Sequence, residues 1–300
     1  MKEIFPKIGL SKLCELFGKT RQAHYDLTWR EEETFMEETL IINEIKLIRK
    51  NLPRVGGIKL FNMLKTVLAD HHIKIGRDAF FTMLSHHDLL IRPKKRYIRT
   101  TESNHMFHKW ANLIEHISLK APEQLWVSDI TYLTTSEGFV YLSLITDAYS
   151  KRIMGFHVSQ RLAAKGCIIT LNKALAQRQY ISHELIHHSD RGIQYCCNQY
   201  VQVLQGNKVL ISMTQNGSPY ENAIAERVNG ILKTEFNLNR TFKNYSDTIE
   251  PVSKAITAYN QIRPHFSIGL LTPEQAHQTI GIEPKKWPSK RKFFSRDVED

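Results

Sequence analysis

The pattern of apolar and polar residues changes near residue 120. Before that point, apolar residues recur every three or four positions, which is typical of amphipathic helices. Gly18, Pro53 and Gly56 interrupt the pattern where helices are expected to end. We predict helices over residues 11–17, 20–25, 33–51, about 60–68 and 78–87. The first two, joined across a glycine, predict a helix-turn-helix-type motif.

Beyond residue 120 the apolar residues form short runs separated by turn residues, which indicates strands. A hairpin is expected at Ser136-Glu137-Gly138. The predicted order is strand 125–134, strand 139–146, strand 152–158, helix 162–176, strand 184–189, helix 195–205 and strand 209–213. Three antiparallel strands followed by alternating helix and strand predict an α/β domain with a mixed five-stranded sheet flanked by helices.

The 300 residues are enough for two domains. We expect a helical DNA-binding region over 1–99, a linker with one short helix over 100–120, a catalytic domain over 121–280 and a basic tail over 281–300. Helices are also predicted over residues 246–261 and from Thr272 as cap with Pro273 at the first helical position.

The charge balance favours a polyanionic partner. The formal net charge is +11 and the isoelectric point is about 9.4, which suits nucleic acid before anionic membrane. A basic run ends the helical region, and its members are Arg92, Lys94, Lys95 and Arg96. Such a run is either a phosphate-binding patch or an ordinary solvated face.

The four cysteines form no CxxC pair, so neither a disulfide framework nor a zinc ribbon is indicated. This pattern fits a reducing cytoplasm, where we expect the protein to reside. No stretch approaches the roughly 18 apolar residues of a membrane span, and no membrane partner is expected.

Three acidic residues are candidates for a functional site. Asp129 interrupts an apolar run, where a carboxylate needs either a salt-bridge partner or a metal ion. Asp190 ends the predicted strand 184–189, at the sheet edge where α/β proteins bind ligands. Glu226 follows Asp190 after 35 intervening residues. On a helix, Asn229 and Lys233 fall on the side of Glu226, while apolar residues occupy the opposite side.

That polar side is either a solvated helix face or a metal ligand with DNA-contacting neighbours. Asp147 also ends a strand and is a weaker candidate ligand. His187 and His188 precede Asp190, but adjacent residues of a strand point to opposite faces, which argues against one shared zinc ion. We expect His188 to help position substrate.

Three segments together closely resemble the DDE transposases of two-frame bacterial insertion sequences. They are WVSDITY at 126–132, HSDRGIQY at 188–195 and NGSPYENAIAE at 216–226, with YN at 259–260, RPH at 263–265 and LTP at 271–273 downstream. That family shares the ribonuclease-H-like core of retroviral integrases. The chain departs from its pattern at Tyr220-Glu221, where Trp-Asp is expected, and at 227–229, where aromatic residues are common.

The resemblance implies that Asp129, Asp190 and Glu226 are catalytic and hold two Mg²⁺ ions, for which Mn²⁺ can substitute. It implies cleavage and transfer of DNA strands, with Asn229 and Lys233 contacting DNA. The implied partners are double-stranded DNA (element ends and target), further copies of the chain on that DNA, and an upstream-frame DNA-binding protein or fusion. The alternatives are a non-catalytic DNA-binding regulator derived from a transposase and a structure-selective nuclease.

Overall fold

The computed structural model describes residues 7–91, 108–115, 117–215 and 223–281, without the side chains of 30–33. The chain divides into two compact units. The first comprises Met1–Lys50 and Val55–Arg92, and the second comprises Asn51–Arg54 and Pro93–Asp300. The predicted boundaries and roles of the domains stay predictions.

The first unit is helical, as predicted. Its helices are α1 (Leu10–Leu16), α2 (Arg21–Asn51), α3 (Gly57–Met63), α4 (Lys65–Asp70) and α5 (Arg77–His86). The predicted short helix over 20–25 is wrong, because α2 continues without a break for 31 residues. Between Tyr25 and Thr34 the chain contains no glycine or proline, and Glu31, Glu32 and Glu33 favour helix. The two helices predicted on either side of Gly18 are therefore both present, but the second is far longer than predicted.

Apolar side chains at helical spacing build the core of the first unit. Ile41 and Ile45 of α2 are buried, as are Leu60, Phe80 and Leu84 of α3 and α5. The Arg49 guanidinium donates a 2.6 Å hydrogen bond to the carbonyl of Leu89, which holds the residues after α5 near the end of α2.

The second unit alternates strands and helices in the predicted order. Its strands are β1 (Leu125–Thr135), β2 (Gly138–Asp147), β3 (Ile153–Ser159), β4 (Ile186–Ser189) and β5 (Leu210–Met213). Its helices are α6 (Ala164–Ala176), α7 (Ile193–Cys196), α8 (Asn198–Gly206), α9 (Ala223–Glu235), α10 (Ser246–Gln261) and α11 (Pro273–His277), with a 3₁₀ turn at Phe266–Ile268. The one helix predicted over 195–205 is thus two helices, α7 and α8.

The strands form one sheet in the order β3-β2-β1-β4-β5. Antiparallel pairing joins β1 to β2 and β2 to β3, while β4 pairs in parallel with both β1 and β5. This mixed sheet flanked by helices confirms the predicted ribonuclease-H-like α/β fold. Pairing of β1 with β4 stops at Val127 and His188. Farther along β1, Thr135 forms an isolated bridge with Phe242, whose amide donates to the Thr134 carbonyl at 2.9 Å.

Helices cover both faces of the sheet. Trp126, Ile145 and Met154 pack with residues of α6, α7 and α8 in one cluster. On the other face, Leu125 and Val127 pack with Ala225 of α9. Side chains of β1 therefore alternate between two buried layers, which explains its nearly continuous apolar run.

The segment before β1 runs beside β5. The Met213 amide donates to the carbonyl of Ala111 at 3.3 Å, and the Leu113 amide donates to the Ser212 hydroxyl at 2.9 Å. Residues 108–115 and 117–120 of the predicted linker contain no helix, and the rest of the stretch in which the short helix was predicted lies outside the described residues. Covering the edge of β5 supplies partners for amides that an extended edge strand would otherwise expose.

The C-terminal predictions are confirmed. Helix α10 has the predicted bounds, and Thr272 caps α11 through a capping box with Gln275, with Pro273 at the first helical position. None of the helices in the described part of the chain is long and apolar enough to cross a membrane.

Candidate active site

The three acids singled out in the sequence lie on three separate elements of the second unit. Asp129 lies on β1 just beyond the last residue that pairs with β4. Asp190 directly follows β4, and Glu226 lies in the first turn of α9. Each of the three residues is partly exposed. Asp129 and Asp190 lie where β1 and β4 stop pairing, which is where ligands bind in open α/β sheets.

Asp129 is held by two hydrogen bonds. Its Oδ1 accepts from the amide of Ile130 at 2.9 Å, and its Oδ2 accepts from the Asn229 side-chain amide at 2.8 Å. Burial and the neighbouring charge of Asp190 raise the pKa of Asp129 to about 7, and Glu226 adds to this increase. The charges of Asp190 and Glu226 are thus close enough to disfavour ionisation of Asp129.

The turn that follows Asp190 positions its carboxylate. Its Oδ1 accepts a 3.0 Å hydrogen bond from the amide of Gly192, the residue that precedes α7. A Cβ atom added at Gly192 would lie 3.0 Å from the same oxygen. The absence of a side chain at Gly192 therefore gives the carboxylate its space.

Helix α9 places Glu226, Asn229 and Lys233 on one side, as predicted. Val228 and Leu232 are buried. Asn229 is only 6% exposed and is turned toward Asp129, so this side of the helix is not a solvated face. The Lys233 ammonium lies 4.2 Å from the centre of the Tyr132 ring. Burial lowers the pKa of Lys233, while the negative charge of Asp129 opposes that decrease.

The far end of α9 is fixed by an ion pair that the sequence did not reveal. The Arg263 guanidinium donates two hydrogen bonds to the Glu235 carboxylate, at 2.8 and 2.7 Å, and its side chain is 2% exposed. Arg263 belongs to the RPH segment at 263–265, and its place in that segment was the one sign in the sequence that the residue has a specific role. The pair ties the last residue of α9 to the segment after α10.

The two histidines before Asp190 have structural contacts. His187 Nε2 lies 2.6 Å from the Ser128 hydroxyl and 2.9 Å from the Tyr200 hydroxyl. His188 Nδ1 lies 2.8 Å from the Ser212 hydroxyl, and both rings are buried. Burial lowers the pKa of His187 to about 3, so the ring is neutral. Their divergent contacts exclude one shared zinc ion, and the burial of His188 contradicts the substrate-positioning role expected for it.

Asp147 belongs to a separate buried network. Its carboxylate accepts from the amides of Glu123 and Ser150 and from the Ser150 hydroxyl, each at 2.7 Å. His277 of α11 lies 3.2 Å from the Glu123 carboxylate and 3.0 Å from the Ser150 hydroxyl. These contacts connect α11 to the start of β1 and the end of β2. They leave Asp147 with a structural role.

The donor set of the three acids suits a hard divalent cation. Carboxylate oxygens are the ligands that Mg²⁺ prefers, and a cation would offset the repulsion that raises the pKa of Asp129. Within the described ranges, no group of three His, Cys, Asp or Glu side chains is arranged as a complete metal-binding set.

The basic residues predicted to contact DNA, Arg92, Lys94, Lys95 and Arg96, lie outside the described residues, as does most of the basic tail. The loop over 216–222, which precedes α9, also lies outside them. Their DNA contacts stay predictions.

Two family models match the second unit. Both are described as integrase core domain, and they match residues 120–219 and 207–273. Together they include Asp129, Asp190 and Glu226, as well as Arg263.

Similar proteins come from insertion elements. The uncharacterized 31 kDa protein of insertion element IS600 from Shigella sonnei is 32% identical over 274 residues, covering 89% of this chain and 99% of that protein. A putative transposase for insertion sequence element IS986/IS6110 from Mycobacterium tuberculosis is 37% identical over 142 residues, covering 46% of this chain. Transposase InsF for insertion sequence IS3A from Escherichia coli is 35% identical over 166 residues, covering 55% of this chain. The alignments span 51% and 57% of the latter two proteins.

Solved structures with a similar arrangement include a simian T-cell lymphotropic virus intasome in complex with the PP2A regulatory subunit B56 gamma. It has a TM-score of 0.47 and 17% identity, over 79% of this chain and 76% of that one. The HTLV-2 integrase catalytic core domain in complex with magnesium has a TM-score of 0.41 and 17% identity, over 52% of this chain and 97% of that one.

Proposed function

Because this chain belongs to the insertion-sequence transposases with an integrase core domain, we propose that it binds the ends of its own element and catalyses metal-dependent DNA strand cleavage and strand transfer. In this proposal it is a DDE-type polynucleotidyl transferase. The observation that carries the proposal is that the charges of Asp190 and Glu226 act on Asp129 where β1 stops pairing with β4.

In the proposal the three carboxylates hold Mg²⁺, with Mn²⁺ as a substitute and two ions as the expected number. When bound, such ions polarise a phosphodiester and lower the pKa of a coordinated water or hydroxyl. The mutual repulsion of the acids and the raised pKa of Asp129 support this assignment, because a cation relieves both.

The other polar residues of α9 have distinct roles in the proposal. Asn229 donates to Asp129 Oδ2 and thereby fixes the orientation of that carboxylate, leaving its remaining lone pairs for a ligand. This positioning role replaces the DNA contact expected for Asn229. The Lys233 ammonium supplies positive charge on the same helix side as Glu226, where it binds a phosphate of the DNA strand.

The remaining interactions with DNA are also proposed. The net charge of +11 supports binding to a polyanion, with Arg92, Lys94, Lys95 and Arg96 as backbone contacts. Assembly of several copies on the two element ends, binding of a target duplex and the involvement of an upstream-frame DNA-binding partner or fusion belong to the same proposal.

A strand-transfer assay on the element's own ends tests the proposal. Wild-type protein is expected to nick and join labelled ends with Mg²⁺ and to do neither in EDTA. Asp129→Asn, Asp190→Asn and Glu226→Gln are each expected to abolish both reactions. Glu184→Gln, which alters an exposed acid in the same unit, is the matched control and should retain activity.

The result that overturns the assignment is near-wild-type cleavage by any of the three acid variants. End-specific binding without cleavage by the wild type points to the regulator alternative or to a missing upstream partner. Repeating the assay with the upstream frame fused to this chain separates these explanations.

A further inference from the structure

Two aromatic side chains lie exposed together on the β1–β2 hairpin. Tyr132 is 49% exposed and Phe139 is 57% exposed. Tyr132 pairs with Tyr141 and Thr134 pairs with Phe139, so the two rings are diagonal neighbours on one face. Their centres are 5.1 Å apart and their planes are inclined at 66°, an edge-to-face contact. Because neither ring is buried in the core, packing within the unit does not account for them.

The aromatic pair lies on the strand that carries Asp129. Tyr132 follows Asp129 by three positions along β1, a separation of about 10 Å, and its side chain leaves the opposite face of the strand. Both belong to the part of β1 that β4 does not pair with. Lys233 connects the two places, because its ammonium lies 4.2 Å from the Tyr132 ring centre and interacts with the charge of Asp129. An exposed π surface and a cation thus border the acid cluster.

We propose that Tyr132, Phe139 and Lys233 form a binding subsite for an unpaired nucleotide of the DNA strand that is cut. The Phe139 ring stacks against its base, the Tyr132 ring packs against the edge of the base, and the ammonium binds the adjoining phosphate. This inference rests on the proposed function and specifies part of its substrate: a strand whose base is unpaired beside the reacting phosphodiester.

An unpaired nucleotide fits the subsite better than an intact duplex does. Inside a duplex both faces of each base are covered by neighbouring bases, so an aromatic side chain can stack only on a displaced or terminal base. The ammonium covers one side of the Tyr132 ring, whereas the Phe139 ring is more than half exposed. Stacking on Phe139 therefore leaves the cation available for the negatively charged backbone.

Fluorescence anisotropy with a labelled single-stranded oligonucleotide of about twelve nucleotides provides the test. The buffer contains EDTA, so binding is measured without strand cleavage. Replacing both aromatic residues by leucine, in Tyr132→Leu/Phe139→Leu, is expected to weaken binding roughly 10- to 100-fold, because leucine keeps apolar area but cannot stack. The conservative Tyr132→Phe should bind as the wild type does. Ile181→Ala, which changes an exposed apolar residue elsewhere in the unit, should also bind normally.

Two further measurements separate stacking from charge. With 2-aminopurine in the oligonucleotide, the wild type should quench its fluorescence on binding, and the double leucine variant should not. Lys233→Gln should reduce the slope of log affinity against log salt by about one, while the double leucine variant should leave the slope unchanged. A blunt duplex probe tests stacking on a terminal base pair. The double leucine variant should bind this probe almost as tightly as the wild type does.

The subsite would be overturned if the double leucine variant bound the oligonucleotide and quenched 2-aminopurine as well as the wild type does. An equal loss of affinity in Ile181→Ala would also overturn it. A greater loss on the blunt duplex than on the single strand would also overturn it. Thermal unfolding of each variant checks that the fold is intact. The binding and quenching assays require no strand cleavage. If the protein stacks on the oligonucleotide but fails in the strand-transfer assay, the result counts against the proposed function and not against the subsite.

Discussion

Asn229 of α9 donates a 2.8 Å hydrogen bond to Asp129 of β1, a residue 100 positions earlier in the chain. Asn229 is buried, and its donor reaches the carboxylate oxygen that the Ile130 amide leaves free. A neutral amide orients Asp129 without neutralising it, whereas lysine at this position would offset one of the negative charges that attract a cation. The bond therefore links the helix that carries Glu226 to the strand that carries Asp129.

We expect Asn229→Ala to lower strand-transfer activity roughly 10- to 100-fold, the usual effect of removing a hydrogen bond to a metal-binding residue. The loss should be partly recovered at higher Mg²⁺ concentration, because the carboxylate is still present but less well oriented. The measurement is the initial rate against Mg²⁺ concentration. Asn207→Ala, which removes an exposed amide directly after α8, is the control. An unchanged Mg²⁺ dependence would argue against the positioning role.

The raised pKa of Asp129 predicts how the stability of the metal-free protein depends on pH. The folded protein retains a proton up to about pH 7, whereas the unfolded chain releases it near the ordinary value of 3.8. The free energy of unfolding should therefore fall as pH rises between these values, by at most about 1.4 kcal/mol per unit from this group. Above the folded pKa this contribution should become constant.

Urea unfolding in EDTA between about pH 5 and pH 8 measures this slope. Asp129→Asn should reduce it, because asparagine does not titrate. Mg²⁺ should stabilise the wild type most at the upper end of the range, where the carboxylate is already ionised and no proton has to be displaced. The same slope in Asp129→Asn and the wild type would assign the pH dependence to other groups.

Gly192 tests the space around Asp190. An alanine there would put its Cβ 3.0 Å from Asp190 Oδ1 and 3.1 Å from Gln194 Oε1. We expect Gly192→Ala to displace the carboxylate and to lower strand-transfer activity roughly 10- to 100-fold. Gly206→Ala is the matched control, since nothing lies within 4 Å of the added Cβ. Equal activity in the two variants would show that Asp190 tolerates the displacement.

The ion pair between Arg263 and Glu235 is expected to be important for stability. Replacing Arg263 by alanine leaves a carboxylate that is only 21% exposed without its bidentate partner, which typically costs about 3–5 kcal/mol. Lys254→Ala removes an ion pair to Glu250 whose side chains are 76% and 74% exposed, so water screens the pair and the variant should be nearly as stable as the wild type. Thermal unfolding of the two variants gives the comparison, and similar melting temperatures would contradict the prediction.

The sheet and the elements that carry the three acids could be predicted from the sequence. Short apolar runs, turn residues and motif spacing are signals that neighbouring residues in the chain provide. The full extent of α2 could not be predicted from apolar periodicity, since its polar first half continues the helix through residues of good helical propensity. Contacts across long sequence separations were also missed. The sequence places Asn229 on the side of α9 that carries Glu226, but only the packing of α9 against β1 shows that its amide reaches Asp129.

The order of the acids along the chain affects when the site is completed during synthesis. Asp129 and Asp190 precede the end of β5 at Met213, so the strands of the sheet can emerge before Glu226 does. Arg263, which holds the end of α9, is synthesised 37 residues later still. On the proposed function, a nascent chain that ends before α9 has all five strands but lacks the third acid, and it cannot cut the DNA from which it is being expressed.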